Sequence, residues 1–585
     1  MKSSPFLVLI AASAVLLTSC STGRDAVAQK ESTARPTDSS VDGTPTPTGA
    51  QNLDWKRCKG ELTSLAGLQC ATLQVPIDPT EPSGKKLDLA LARKPATGQA
   101  SQRIGSLVMN PGGPGASGLE FLANASSSFP EELAQKFDLV SFDPRGVGES
   151  DPVRCLDDAQ KDEQLAGDLS PDTPEEKAKA NSDQAELRKG CERRNPDLVT
   201  HMSTADVAAD VEQIRTAVGD DQLNYVGFSY GTAIGAAYAT AYPTKVRAMV
   251  LDGSVSPSTT PADEALVQAT GFERTLASFV TACNADPTCA LAPDTAGAIS
   301  QVRASLETDP VVVKDSSGER TLGPDLFDFG LATALYDNST WGPTAQAIKD
   351  IRDGGAETIL ALVDRQTGRQ PDGSFNNSSD AQSMVNCADA KDRPTQAEAD
   401  AAEAKIIAAA PTFGPLLGTG LTSCSAWPGA ADPVPVPDAA GAAPILVVGT
   451  VGDPATPYEW AQQMASALKS GVLLTYEGDG HTAFLRGGPC IDDAVVAYLV
   501  DLTVPAAGTR CPASTTTSGI CDVKQAIVDE LVKGGLPEDV ATCIADGMEA
   551  ELGAAKFNQL ILEGNQEEIT KLATAQTLKC VSGGN

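Results

Sequence analysis

Histidine is nearly absent from this chain: 585 residues hold only His201 and His481. No C-x2-C pair occurs either, so a zinc site, which needs clustered thiolate and imidazole ligands, is not expected. Basic clusters are lacking too. The formal net charge is −33, from 44 Lys+Arg against 77 Asp+Glu, which argues against nucleic acid as a partner, because phosphates demand clustered Lys and Arg. The acidic residues are mixed along the chain, the pattern of a solvated surface; attraction of cationic substrate ends is the sharper alternative. No repeat at solenoid spacing is found. A chain of this length exceeds one compact core, so about two or three folding units are expected.

No apolar run near the N-terminus is long enough to stay in a membrane. Phe6 to Leu17, following Lys2, is too short for a spanning helix and reads as an export signal over residues 1–20. It ends in Leu17-Thr18-Ser19-Cys20, which resembles the bacterial lipobox, where the cysteine is lipidated and becomes the mature N-terminus; a plain cleavage site is the alternative. Residues 21–52 are rich in Ser, Thr, Pro, Gly and Ala with almost no bulky apolar side chains, the composition of a disordered tether. The expected location is the outer face of the cell membrane, with Cys20 as the only membrane attachment and some release. Export makes disulfides the default for the cysteines after Cys20. Sequence neighbours suggest Cys58 with Cys70, Cys155 with Cys191, Cys283 with Cys289, Cys387 with Cys424, and Cys490 with Cys511. Cys521, Cys543 and Cys580 are an odd trio, one of them free or paired elsewhere.

Residues 53–254 alternate short apolar runs with helical patterns, the signature of a mainly parallel sheet wrapped by helices. Ser106 to Asn110, Phe137 to Phe142, Asn224 to Val226 and Val246 to Asp252 read as strands. Thr204 to Val218 reads as a helix with Ser203 and Asp206 as its capping box, and Gly231 to Tyr242 as a small-residue helix stopped by Pro243. Residues 255–440 change to helical segments, among them Leu326 to Leu335 and Thr344 to Ile351, with no convincing series of strands, as an inserted lid would. Strands at Ala443 to Gly449 and Val472 to Tyr476 resume the sheet over 441–512, and 513–585 has the periodicity of a small appended helical domain with an unknown partner.

Gly227-Phe228-Ser229-Tyr230-Gly231 matches G-x-S-x-G, whose glycines let a strand turn so sharply into a helix that the serine is thrust into the open. A serine hydroxyl needs an imidazole to take its proton. His481, in Gly480-His481-Thr482 just beyond a strand, is placed for this; His201 lies upstream of the serine and reads as a surface or capping residue. The carboxylate should fall between Ser229 and His481 in the chain. Asp453 directly follows an apolar strand; Asp479 competes but sits two residues from His481 and reads as a turn former. Thr456 either steadies Asp453 or caps a helix. Acyl transfer also needs donors for the oxyanion, each lowering the barrier by about 3–4 kcal/mol. Asn110-Pro111-Gly112-Gly113-Pro114-Gly115 follows a strand and offers them, with the N–H groups of Gly113 and Tyr230 expected to form the hole. Asp143 to Ser150 reads as a scaffold loop. No metal or organic cofactor is expected.

These motifs resemble the proline iminopeptidase and tripeptidyl aminopeptidase branch of α/β-hydrolases in its secreted actinobacterial form. The matching residues are Asn110 to Gly118, Phe142 to Ser150, Gly227 to Thr232, Val250 to Gly253, Gly449 to Tyr458 and Gly480 to Thr482, spanning roughly residues 53 to 512. The resemblance implies an α/β-hydrolase fold and a serine hydrolase cutting near a free peptide N-terminus, with acidic lid residues holding the ammonium group. Asp389, in Asn386-Cys387-Ala388-Asp389, matches a lid motif of such enzymes; a loop-turn aspartate beside a disulfide is the alternative. Close relatives include carboxylesterases, so peptide and ester substrates both stay open, and an inactive hydrolase-like binding lipoprotein is a third reading.

Overall fold

The apolar runs at Ser106, Phe137, Leu223 and Val246 have no polar face to offer water, so they belong at the centre of a sheet covered on both sides. The computed structural model describes residues 53–59, 67–257, 260–315, 318–430 and 434–513, and toward the C-terminus 524, 527–528, 531–532, 536–553 and 566–582. The expected signal, tether and anchor Cys20, and also Cys521, lie outside the described residues.

The described chain divides into two units, one holding the described residues of 53–276 with 367–513, the other 277–366 with the described residues between 524 and 582. The first unit contains a ten-stranded sheet. Its strands are β1 (Lys56–Arg57), β2 (Gln69–Pro76), β3 (Lys86–Lys94), β4 (Gly105–Asn110), β5 (Phe137–Phe142), β6 (Leu223–Phe228), β7 (Val246–Asp252), β10 (Ile445–Gly452), β11 (Gly471–Asp479) and β12 (Arg510–Pro512). Their order is β1-β2-β3-β5-β4-β6-β7-β10-β11-β12. The pairs from β1 to β5 through β2 and β3 are antiparallel; from β5 onward every pair is parallel. Side chains alternate along each strand, so Val108 joins one apolar cluster with Tyr225 and Leu251, while Leu107 and Met109 join the other with Val226 and Val250. The parallel direction brings the C-terminal ends of β4, β6, β7, β10 and β11 to one edge, where ligands of such sheets bind.

Local chemistry sets the element ends. Ser203 and Asp206 form the expected capping box of the helix Thr204–Ala217. The loop after β5 is a scaffold as expected. Buried Arg145 grips Asp210 with Nε at 2.8 Å and Nη2 at 2.7 Å, and donates to the carbonyls of Ile77 and His201. His201 thus serves the loop through its backbone. Arg145→Ala leaves Asp210 buried without its counter-charge, and a loss of about 3–5 kcal/mol is expected. It should appear as a lower urea midpoint with an unchanged slope.

The second unit holds the helices Thr295–Leu306, Pro324–Ala334 and Trp341–Ile351 and a hairpin, β8 (Val311–Asp315) with β9 (Gly318–Leu322). The hairpin adds strands where the sequence reading finds only helical segments. Val311-Val312-Val313 has strong strand preference, but five residues are too few for periodicity to decide. Nearer the C-terminus, Glu538–Leu552 and Gln566–Ser582 bury Ile544, Met548, Ile569 and Leu572 together. Cys543–Cys580 links these two helices, and the five neighbour pairs suggested from sequence are all bonded.

Candidate active site

The turn from β6 into the helix Gly231–Ala241 works only because of its glycines. A Cβ on Gly227 would sit 2.3 Å from the Gly231 carbonyl, and one on Gly231 would sit 2.6 Å from the Asn110 carbonyl. Between them Ser229 takes a φ of 53°, a conformation that costs a non-glycine residue about 1–3 kcal/mol. Backbone bonds hold it there. Ser229 N–H donates to the Asp252 carbonyl at 2.9 Å, and its own carbonyl accepts from Thr232 N–H at 2.9 Å and Thr232 Oγ1 at 2.6 Å.

At the end of β10, buried Asp453 is surrounded by donors. Its Oδ1 accepts from the N–H groups of Ala455 at 2.9 Å and Thr456 at 2.8 Å; its Oδ2 accepts from Thr456 Oγ1 at 2.9 Å and Thr482 N–H at 3.2 Å. His481 Nδ1 lies 3.0 Å from both oxygens, and Thr456 Oγ1 is 3.2 Å from the same nitrogen. Thr456 therefore steadies the carboxylate by two bonds. Asp479 pairs in register with Gly452 at the end of β11, its carboxylate packed against that glycine.

Gly253, directly after β7, packs against the imidazole. A Cβ there would lie 3.3 Å from His481 Cε1 and 3.0 Å from Thr456 Oγ1, and the preceding residue, Asp252, holds the Ser229 amide. The Asp252 side chain is a feature that sequence reasoning missed. It is fully buried and accepts from Ala483 N–H at 3.0 Å and Phe484 N–H at 2.7 Å. Burial pushes its carboxyl up to about 7, against the opposing pull of those amides and of His481. The available signal was one carboxylate ending an apolar strand.

The glycine loop after β4 lies on the same turn. Gly112 has a φ of 97°, and a Cβ on it would stand 2.5 Å from the Phe228 carbonyl and 2.9 Å from Tyr230 N. Gly113 follows at 106°. Among the described residues no acceptor takes the N–H of Gly113 or of Tyr230, the latter at the N-terminus of its helix. Tyr230 Oη lies 2.7 Å from Thr204 Oγ1, which donates to Asp389 Oδ2 at 2.5 Å, while Thr204 N–H donates to Asp389 Oδ1 at 2.9 Å. Burial raises the Asp389 carboxyl to about 6. The helix Ser378–Asp389 that carries it also touches the glycine loop, since a Cβ on Gly115 would meet the Ser378 carbonyl at 2.2 Å. Among the described residues no three His, Cys, Asp or Glu side chains cluster as metal ligands.

Residues 105–487 match the family model of the α/β-hydrolase fold. The serine protease Hip1 of Mycobacterium tuberculosis is 37% identical over 482 residues, covering 79% of this chain and 91% of that protein. Carboxylesterase B of the same species is 35% identical over 478 residues, covering 80% and 91%. The tripeptidyl aminopeptidase of Streptomyces lividans is 31% identical over 475 residues, covering 79% and 87%. The chain belongs to the α/β-hydrolase fold family, within the group of serine hydrolases that these mycobacterial and Streptomyces relatives form.

Proposed function

We propose that this serine hydrolase is an exported aminopeptidase that releases short peptides or single residues from free N-termini through an acyl-enzyme on Ser229. The observation that carries the reading is the His481 Nδ1 contact of 3.0 Å to both oxygens of Asp453, beside the strained turn of Ser229. Asp453 fixes the tautomer in which Nδ1 bears the proton, leaving His481 Nε2 to accept the proton of Ser229 Oγ as that oxygen bonds to the carbonyl carbon. Negative charge on the carbonyl oxygen is received by the N–H groups of Gly113 and Tyr230. The C–N bond then breaks with the proton passing from His481 to the leaving amine, and water, deprotonated by the same imidazole, releases the acid.

Selection of a free amine is assigned to Asp389, a half-buried carboxylate linked through Thr204 to Tyr230. Similarity to the serine protease Hip1 and the tripeptidyl aminopeptidase favours peptides; similarity to carboxylesterase B favours esters as the second reading. Export and a lipid anchor at Cys20 belong to the same proposal, supported by six disulfides among the described residues, since such bonds persist in oxidising compartments. The test compares aminoacyl and tripeptidyl amides with free or blocked N-termini, alongside short-chain esters. Free-amine amides should be cleaved and blocked ones spared, and Asp389→Asn should raise KM for the free-amine substrates. Cleavage of esters with every amide intact would move the assignment to carboxylesterase and leave Asp389 without this role.

A further inference from the structure

The segment that carries His481 leaves β11 and turns through left-handed backbone, with φ of 107° at Gly480, 68° at Thr482 and 73° at Leu485. Backbone of this kind has no ladder of its own and keeps one shape only where its surroundings over-determine it. Three carboxylates fasten it, Asp492 by taking the N–H of Leu485 at 2.9 Å. Asp453 takes the N–H of Thr482 at 3.2 Å, and Asp252 takes those of Ala483 and Phe484 at 3.0 and 2.7 Å. Asp252 is bonded on its other side as well. Its carbonyl accepts the Ser229 N–H at 2.9 Å, and the next amide, of Gly253, donates to Val448 on β10 at 3.1 Å. One residue at the end of β7 is thus tied to the backbone of the serine and to the loop of the histidine, and its successor to the strand that delivers Asp453.

We infer that Asp252 is a positioning residue that sets the separation and angle between Ser229 Oγ and the His481 ring, by clamping the Ala483 and Phe484 amides with its carboxylate and the Ser229 amide with its carbonyl. The inference rests on the acyl-enzyme mechanism proposed above. Asp252 does not duplicate Asp453: the Nδ1 of the imidazole faces Asp453, whereas the Asp252 oxygens accept from backbone amides. The charged groups whose fields reach Asp252 are His481, which favours its anion, and Asp453, which opposes it. Charge matters to the clamp, because N–H bonds to a carboxylate are roughly twice as strong as bonds to a neutral oxygen. Geometry matters more, since a displacement of about 1 Å at reacting atoms costs on the order of 10²-fold in rate.

The test uses the full-length protein with a fluorophosphonate, which phosphonylates a serine activated by its imidazole and loses fluoride. Its rate reports the serine–histidine pair without reference to peptide or ester preference. Asp252→Ala is expected to be labelled about 10²–10³-fold more slowly per folded molecule, and Asp252→Asn, which keeps one acceptor oxygen, about tenfold more slowly. On whichever substrate the wild type cleaves, kcat should fall with the labelling rate while KM stays within about threefold, because no substrate contact is removed. A purely structural Asp252 would lower the melting temperature and leave the labelling rate of folded protein unchanged; that result overturns the inference. Should the alanine variant fail to fold, the isosteric asparagine variant decides by the same comparison. Wild-type protein labelled no faster than Ser229→Ala would overturn the mechanism and the role of Asp252 together, so the two failures are told apart.

Discussion

Replacing Ser229 by alanine is expected to lower kcat by about 10⁴-fold or more while leaving the fold intact. The two halves of that expectation have separate grounds. The bonds that hold residue 229 in its turn are made by its N–H to the Asp252 carbonyl and by its carbonyl to Thr232, and alanine keeps both. The steric demands of the turn fall on Gly227 and Gly231 and not on the hydroxyl. Stability should therefore stay within roughly 0.5 kcal/mol of the wild type, the range of a substitution that touches no cap, cavity or buried pair. In the proposed mechanism activity rests on the oxygen itself, because without it no acyl-enzyme forms. What remains is the contribution of bound substrate held near the oxyanion donors, which in triad enzymes leaves about 10³–10⁴-fold over water. Kinetics on the cleaved substrate and a thermal melt on the same preparations check both halves. A variant that keeps most of its activity would require a different nucleophile.

The central sheet and the turn that carries Ser229 were legible in the sequence because both are local signals. A run such as Phe137 to Phe142 carries apolar residues on both faces, Phe137 and Leu139 on one and Val140 and Phe142 on the other, and the strand formed spans the same residues. The G-x-S-x-G turn announces itself through two glycines whose absent side chains the structure needs. Contacts made across long separations left no such trace. Asp389 and Thr204 are bonded across 185 positions, and Asp252 meets Ala483 across 231; neither pairing has a period, a spacing or a breaker residue to reveal it. Asp252 was visible as part of a strand-end motif, yet nothing in one sequence distinguishes a carboxylate that caps a strand from one that clamps a distant loop. Thr456 was readable as two alternatives, support for Asp453 or a helix cap, and the first describes its bonds: hydroxyl and amide both reach the carboxylate. The antiparallel edge β1 to β3 is polar on its outer positions and short at β1, so its pairing direction is fixed by neighbours rather than by its own composition.

Asp453→Asn should lower kcat by about 10⁴-fold with little change in KM or in fold, the loss expected when the imidazole is held in the wrong tautomer. The surroundings of the carboxylate make this more than an analogy. Four donors converge on it: the amides of Ala455, Thr456 and Thr482, and the Thr456 hydroxyl. An asparagine has one acceptor oxygen for them, and turning it toward the paired amides of Ala455 and Thr456 satisfies the most bonds. The amide nitrogen then takes the place of Oδ2, facing His481 Nδ1 as a donor. The ring answers by offering a lone pair at Nδ1 and carrying its proton at Nε2, the nitrogen that accepts from Ser229 in the proposed mechanism. Substrate contacts are untouched, which is why the change falls on kcat. Asp479→Asn supplies the comparison, for that carboxylate packs against Gly452 at the end of β11, and its kcat should stay within about threefold of the wild type. Equal losses in the two variants, or a loss in Asp479→Asn alone, would take the triad carboxylate away from Asp453. A loss confined to Asp453→Asn, accompanied by an equally slow reaction with fluorophosphonate, would place the defect in proton transfer between Ser229 and His481 and not in the binding of peptide or ester.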